Sequence, residues 1–164
     1  MTAPDLDALF EVQRRSYETA RGGLRRSWPE AHALDREGLG RFLDELVYGV
    51  LATARADGRA HAAPVAFSFG GGAFWVGTVE GLRLRNLRAT PWASLVLFDG
   101  QRGERHRALT AEGPVRLHEG AGFRAARRQL DPTWVARHGS APDWAAAFLE
   151  LRPERVFSHR SPDA

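Results

Sequence analysis

Apolar residues fall in short runs through the middle of the chain and at helical spacing towards both ends. Between Tyr48 and Phe98, three apolar runs near 49–56, 59–69 and 73–78 are separated by Asp57-Gly58 and by Gly70-Gly71-Gly72. That is the pattern of a β-meander. Asp-Gly between two such runs predicts a tight primed turn, which needs positive φ at both central residues. The chain then leaves the sheet through a short arginine-rich helix over 82–89 and returns in strands near 92–99 and 104–117. Gly113-Pro114 in the last of these cannot sit mid-ladder in a central strand without a bulge or bend. Bends of that kind curl a sheet towards a barrel.

The flanks read differently. Leu6, Leu9, Phe10, Tyr17 and Ala20 share one face of a helix over 5–21 that Gly22-Gly23 stops. Residues 24–34, around Trp28-Pro29, are expected to be irregular, and a second helix over 35–47 carries Leu39, Phe42, Leu43 and Leu46 on one side. Beyond the strands, Phe123, Ala126, Arg127 and Leu130 predict a helix over 119–138, interrupted at Asp131-Pro132. Trp144, Ala147, Phe148 and Leu151 predict a last helix over 142–150, and 155–159 a sixth strand. The expectation is one mainly β domain over 1–164 with peripheral helices: N-terminal helices over 1–47, a core over 48–118, and C-terminal helices with a last strand over 119–164. Its centre is a six-stranded antiparallel barrel.

Composition narrows the function. The net charge of +3 is too small and dispersed to argue for nucleic acid. No run of 18 apolar residues predicts a membrane span, and the acidic start Met1-Thr-Ala-Pro-Asp-Leu-Asp does not read as a signal peptide. Cysteine is absent, which removes disulfides, thiolate metal sites and cysteine nucleophiles, and makes the cytoplasm the expected setting. Every cation is arginine, a planar fork suited to bidentate phosphate or carboxylate contacts, and there is no lysine for a Schiff base.

No dinucleotide fingerprint, phosphate-binding loop or nucleophile elbow is present. The six histidines never pair at metal-ligand spacing, so no metal site is predicted, and Glu104, Glu112, Glu119, Glu150 and Glu154 read as edge and helix-surface charges. What remains is Thr78 to Arg88. Leu84 and Leu87 should face the core, Arg85 and Arg88 share one side, and Arg83 shares another with Asn86. Arg83 lies in the first helical turn, where the macrodipole disfavours a cation unless an anion neutralises both. The alternative is that Glu80 caps the turn and pairs with Arg83, leaving a solvated face.

Tyr48-Gly-Val-Leu-Ala-Thr, Asp57-Gly-Arg-Ala-His-Ala-Ala-Pro-Val-Ala-Phe, Phe74-Trp-Val-Gly-Thr78 and Arg83-Leu-Arg-Asn-Leu-Arg-Ala-Thr-Pro91, in that order and spacing, resemble the pyridoxamine 5'-phosphate oxidase-like family over roughly residues 40–118. These are flavin-binding split-barrel proteins, a group that includes deazaflavin-dependent reductases. The resemblance implies a homodimer with two flavin sites at its interface and a cofactor phosphate held by Arg83, Thr78 and Asn86. Lysine is usual at the Arg83 position. It further implies that backbone groups of Pro64, Val65 and Ala66 line the isoalloxazine edge, with His61, Arg85 and Arg107 as further contacts and Arg105 beside Arg107 on one strand face. Ala63 and Ser68 stand where the true pyridoxamine phosphate oxidases are basic, which argues against oxidation of that substrate. Trp75 and Phe98 are expected to be left for a partner subunit to cover.

The implied function is FMN-dependent hydride transfer to or from a small organic substrate, with catalytic residues unassigned because the cofactor would carry the hard step. The alternatives are the deazaflavin coenzyme, or a non-catalytic flavin- or haem-binding protein with His159 or His61 as axial ligand.

Overall fold

The computed structural model describes residues 2–100 and 106–161. Three N-terminal elements precede the sheet: α1 (Ala3–Glu18), α2 (Gly22–Ser27) and α3 (Arg36–Glu45), with a 3-10 turn over Glu30–His32. Helix α1 starts at a capping box in which Thr2 and Asp5 satisfy each other's backbone N–H groups. Seven strands follow: β1 (Tyr48–Ala54), β2 (Ala60–Gly70), β3 (Ala73–Thr78), β4 (Trp92–Gly100), β5 (His106–His118), β6 (Ala147–Leu151) and β7 (Arg155–Arg160). Helix α4 (Leu82–Ala89) joins β3 to β4, and α5 (Gly120–His138) joins β5 to β6. No described helix is long and apolar enough to cross a membrane.

The strands close in the order β4-β1-β2-β3-β6-β5 and back to β4, a six-stranded antiparallel barrel with β7 added on the far side of β5. Two long strands make the closure possible. Strand β2 pairs with β1 over Ala60–Ala66 and with β3 only from Phe67 onwards. Strand β5 pairs with β4 over His106–Pro114 and with β6 over Val115–His118. Each long strand thus passes from one sheet to the other, and the barrel splits where β2 leaves β3. Inward residues such as Leu51, Val65, Phe67, Phe74, Val76, Leu95, Leu109 and Leu149 fill the interior. A second cluster of Trp75, Phe148, Ala126, Leu130 and Trp134 lies outside the barrel wall, under α5.

Four expectations are corrected. Residues 147–151, predicted as helix, form β6 and close the barrel. The spacing of Ala147, Phe148 and Leu151 fits a helix, but every residue of β6 is buried because one face meets the interior and the other meets α5. A strand apolar on both faces loses the alternation that identifies it. The predicted sixth strand is β7, outside the ring.

Helix α5 is not interrupted at Pro132. Pro132 and Arg128, four residues earlier, both face solvent, so water can take the carbonyl that proline leaves without a donor. The two turns also exchange types. Asp57-Gly58 lies in a three-residue loop closed by Gly58 N–H to Arg55 C=O, with positive φ at Gly58 alone. The primed geometry falls instead at Gly71-Gly72, both at positive φ. Within residues 24–34, expected to be irregular, 24–27 belong to the short α2, which begins at Gly22.

Gly113 has a tertiary reason. The segment between β6 and β7 crosses it so closely that an added Cβ would lie 2.1 Å from the Arg152 carbonyl oxygen. Glu154 N–H donates to Glu112 C=O at 2.8 Å and Arg152 N–H to Pro114 C=O at 3.1 Å, either side of that approach. Gly113→Ala must push the crossing off β5. It is expected to lower stability by at least about 1–3 kcal/mol, the usual scale of overpacking, read as a lower urea midpoint at unchanged m-value.

Candidate functional site

Helix α4 lies across the open end of the barrel. Leu84 and Leu87, three apart, are both buried in the core, worth about 1.5–3 kcal/mol each. Buried Asn86 donates from Nδ2 to the Thr53 hydroxyl of β1 at 3.0 Å. With these three anchors fixed, the rest of the helix has no freedom to rotate. Its N-cap is Gly81, which offers no side-chain acceptor, and the first turn contains no acid. No side chain caps the first amides of this helix, and its first turn holds a cation.

That cation is Arg83. Its Nη1 donates to the Thr78 hydroxyl at 3.3 Å and its Nη2 reaches the Pro64 carbonyl at the limiting distance of 3.5 Å. Its Nε is enclosed and has no partner among the described residues. Burial alone shifts its pKa, downwards, with no acid opposing the shift. The ion pair with Glu80 that sequence allowed does not form: Glu80 binds Arg88, which also binds Glu119. Arg88 is therefore neutralised and Arg83 is not.

Arg83 stands at the split. Before Phe67, β2 has no β3 partner, so the edge carrying Pro64 and Ala66 is unpaired on that side. Pro64 has no N–H, and its carbonyl faces Arg83. Val65, between them, points into the barrel. His61 pairs across β1 with Thr53, and its Nδ1 is enclosed without a partner. Thr78, Arg83, Asn86, Pro64, Ala66 and His61 thus come together around α4 and the split edge.

Arg107 is elsewhere in its bonding: it is ion-paired with Glu45 and Asp99 and lies over the Phe42 ring at 5.1 Å. Arg85 is exposed on α4. Arg105 and Glu104 lie outside the described residues. Trp75 is covered by α5 and donates to the Gly70 carbonyl at 3.0 Å, so it is not left for a partner. Trp28 is half-buried, its ring 5.9 Å from that of His159.

Sequence reasoning missed three polar clusters. Glu150, expected on a helix surface, is buried on β6 and binds His118 Nε2 at 2.7 Å as well as Arg152. Arg137 of α5 donates to the carbonyls of Leu43 and Leu46 at the end of α3 and to Phe67 in β2, joining three elements with one guanidinium. His159 sits between His32 and His106, ring centroids 5.6 and 5.3 Å away. No group of three or more such side chains among the described residues is arranged to hold a metal ion. None of these clusters has a local signal, because each joins residues far apart in sequence.

Burial lowers the pKa of His159, with His106 and His32 adding to the shift. Burial also lowers that of His138, a nearby Arg137 charge adding to it and a hydrogen bond to the Phe67 carbonyl opposing it. Such groups bind fewer protons folded than unfolded, so stability is complete above the unfolded value near 6.5 and falls as pH drops below it. The thermal midpoint is expected to fall between about pH 7.5 and about pH 5.5, and to fall less in His159→Gln.

Comparison with known proteins now bears on this arrangement. A protein of Mycobacterium tuberculosis, Rv2991, matches at a TM-score of 0.67 and 21% identity over 80% of this chain and 88% of its own. An FAD-binding protein of Mesorhizobium loti matches at 0.61 and 17% identity over 79% and 96%. HutZ, the haem storage protein of Vibrio cholerae, matches at 0.60 and 19% identity over 77% and 95%. At these identities the likeness establishes the fold. No curated protein matches the sequence. The pyridoxamine 5'-phosphate oxidase family model matches residues 37–160, three quarters of the chain and every strand of the barrel, and the chain belongs to that family.

Proposed function

We propose that this protein is a flavin-dependent oxidoreductase that binds FMN or a related flavin beside α4 and acts on a small organic substrate other than pyridoxamine 5'-phosphate. One observation carries the reading. The Arg83 guanidinium is half-buried at an uncapped helix start, bonded only to a hydroxyl and a carbonyl, with Nε unpartnered. A phosphate there would satisfy the enclosed donor, the cation and the helix amides together. Buried unpartnered polar atoms in a folded protein call for such an explanation. The FAD-binding protein that shares the fold supports the same reading.

A bound flavin would supply the hydride chemistry. The chain's own residues then bind and orient it: Arg83 and Thr78 at the phosphate, the unpaired edge at Pro64 and Ala66 offering backbone hydrogen bonds, and Asn86 fixing α4. Ser68, at a position basic in the true pyridoxamine phosphate oxidases, is buried within 3.5 Å of His138 Nε2 and offers no charge to a second phosphate.

The outer face of β1 and β4 exposes Tyr48, Val50, Trp92 and Phe98, with Val50 directly opposite Val96. Exposed apolar faces of this kind mark interfaces. A second copy of the chain, related by a two-fold axis, covers it in this reading.

A second reading follows from the histidines. His61 and His159 each enclose an Nδ1 without a partner, and HutZ shares the fold. Either imidazole is then a candidate haem ligand. Haem gives a Soret band that flavin lacks, so the absorbance spectrum after addition of each cofactor separates the two.

Arg83→Ala is expected to weaken flavin binding by about 10- to 150-fold, the equivalent of about 1.5–3 kcal/mol for a charge-assisted contact. Arg83→Lys should retain most of the affinity, and both variants should keep the parent's melting temperature. Unchanged affinity in Arg83→Ala by fluorescence titration would overturn the reading. Sedimentation at micromolar concentration should give a dimer for the parent and a monomer for Phe98→Glu; a monomeric parent rules the dimer out.

A further inference from the structure

Buried unpartnered polar atoms are not spread evenly over the molecule. The described residues hold four, Arg55 Nε, His61 Nδ1, Arg83 Nε and His159 Nδ1. Three of them surround α4. Arg83 lies on the helix itself, His61 opposes Thr53, and Arg55 follows Thr53 by two on the same face of the β1 extension. Thr53 is the residue that Asn86 bonds.

On the flank of α4 marked by Leu82, Arg85, Asn86 and Ala89, the helix and the β1–β2 hairpin border an open cavity of about 370 Å³, whose other wall is Arg55, Ala56, Asp57 and Arg59. Asp57 is neutralised within the hairpin: Arg59 donates to it from both the backbone N–H at 3.1 Å and Nε at 2.9 Å. The guanidinium groups of Arg55 and Arg85 have no hydrogen bond or ion pair to any described residue, and Arg55 Nε is enclosed. The cavity therefore presents two uncommitted guanidinium groups on opposite walls, one of them two residues from Arg83 on the same helix.

We infer that this cavity is a second anion subsite, taking the charged tail of an extended flavin cofactor beyond its first phosphate. The inference rests on the flavin reading above and deepens it. FMN ends at the phosphate that Arg83 would hold and has nothing to place between Arg55 and Arg85. An FAD diphosphate and the glutamyl carboxylates of a deazaflavin coenzyme share the required chemistry, a further anion tethered to that phosphate. Planar arginine forks on two walls suit either. The tether raises the local concentration of the second anion, so a modest contact becomes a large preference.

Calorimetric titration of FMN, FAD and the deazaflavin coenzyme into the parent, Arg83→Ala, Arg85→Ala and Arg55→Ala/Arg85→Ala tests this. The parent should bind at least one extended cofactor about 10-fold or more tighter than FMN, and the double variant should abolish that margin by weakening the extended cofactor more than FMN. Whichever extended cofactor loses the margin identifies the tail. Arg85 is exposed on α4, so Arg85→Ala keeps the fold and should remove part of the margin even if Arg55→Ala does not fold. Equal affinity for all three cofactors in the parent, or a margin that survives the double variant, overturns the second subsite. Arg83→Ala separates the two levels: if it leaves FMN binding intact, the flavin reading has failed and the subsite with it; if it weakens FMN and the double variant changes nothing, only the subsite has failed.

Discussion

A guanidinium held half out of water without a carboxylate beside it is the constraint around which this site is built. Removing a cation from water is costly unless another charge or several hydrogen bonds replace the solvent. Arg83 has a hydroxyl and a distant carbonyl. It is held there because Leu84, Asn86 and Leu87 fix the helix immediately after it, two by apolar burial and one through Thr53. The favourable burial of its neighbours keeps the arginine in an unfavourable place, and such local conflicts mark functional positions.

The same helix depends on the barrel's closure. Strands β2 and β5 are long enough to serve two sheets, and β3 must leave β2 after Phe67 for α4 to cross the barrel's end. Gly113 permits the corresponding bend on β5, where the crossing to β7 comes too close for any side chain. Arg137 then ties α5 to the end of α3 and to β2, while the Glu150–His118 pair joins β6 to β5. The split edge and the helix over it are consequences of one topology.

Charge distribution sorts the arginines by role. Arg88 and Arg107 each hold two carboxylates, and Arg59 is spent on Asp57. Arg55, Arg83 and Arg85 are the ones around α4 that carry no such partner among the described residues. Composition alone gave all of these residues the same standing.

The amino-acid sequence determined the elements whose signals are local. The strands from Tyr48 to Thr78, the helix over 82–89 with Leu84 and Leu87 inward, and the bend at Gly113-Pro114 were all legible from period and turn chemistry. So was the family, through the order of its short motifs. Tertiary structure decided what depends on both sides of an element at once. Residues 147–151 are a strand because a barrel interior and a helix cover their two faces, which no periodicity within five residues can reveal. Whether an arginine is paired was equally beyond the sequence: Glu80 stands three residues from Arg83 and eight from Arg88, yet it binds Arg88. Burial and partnership are properties of the folded surroundings, and they are what separated one arginine from the rest.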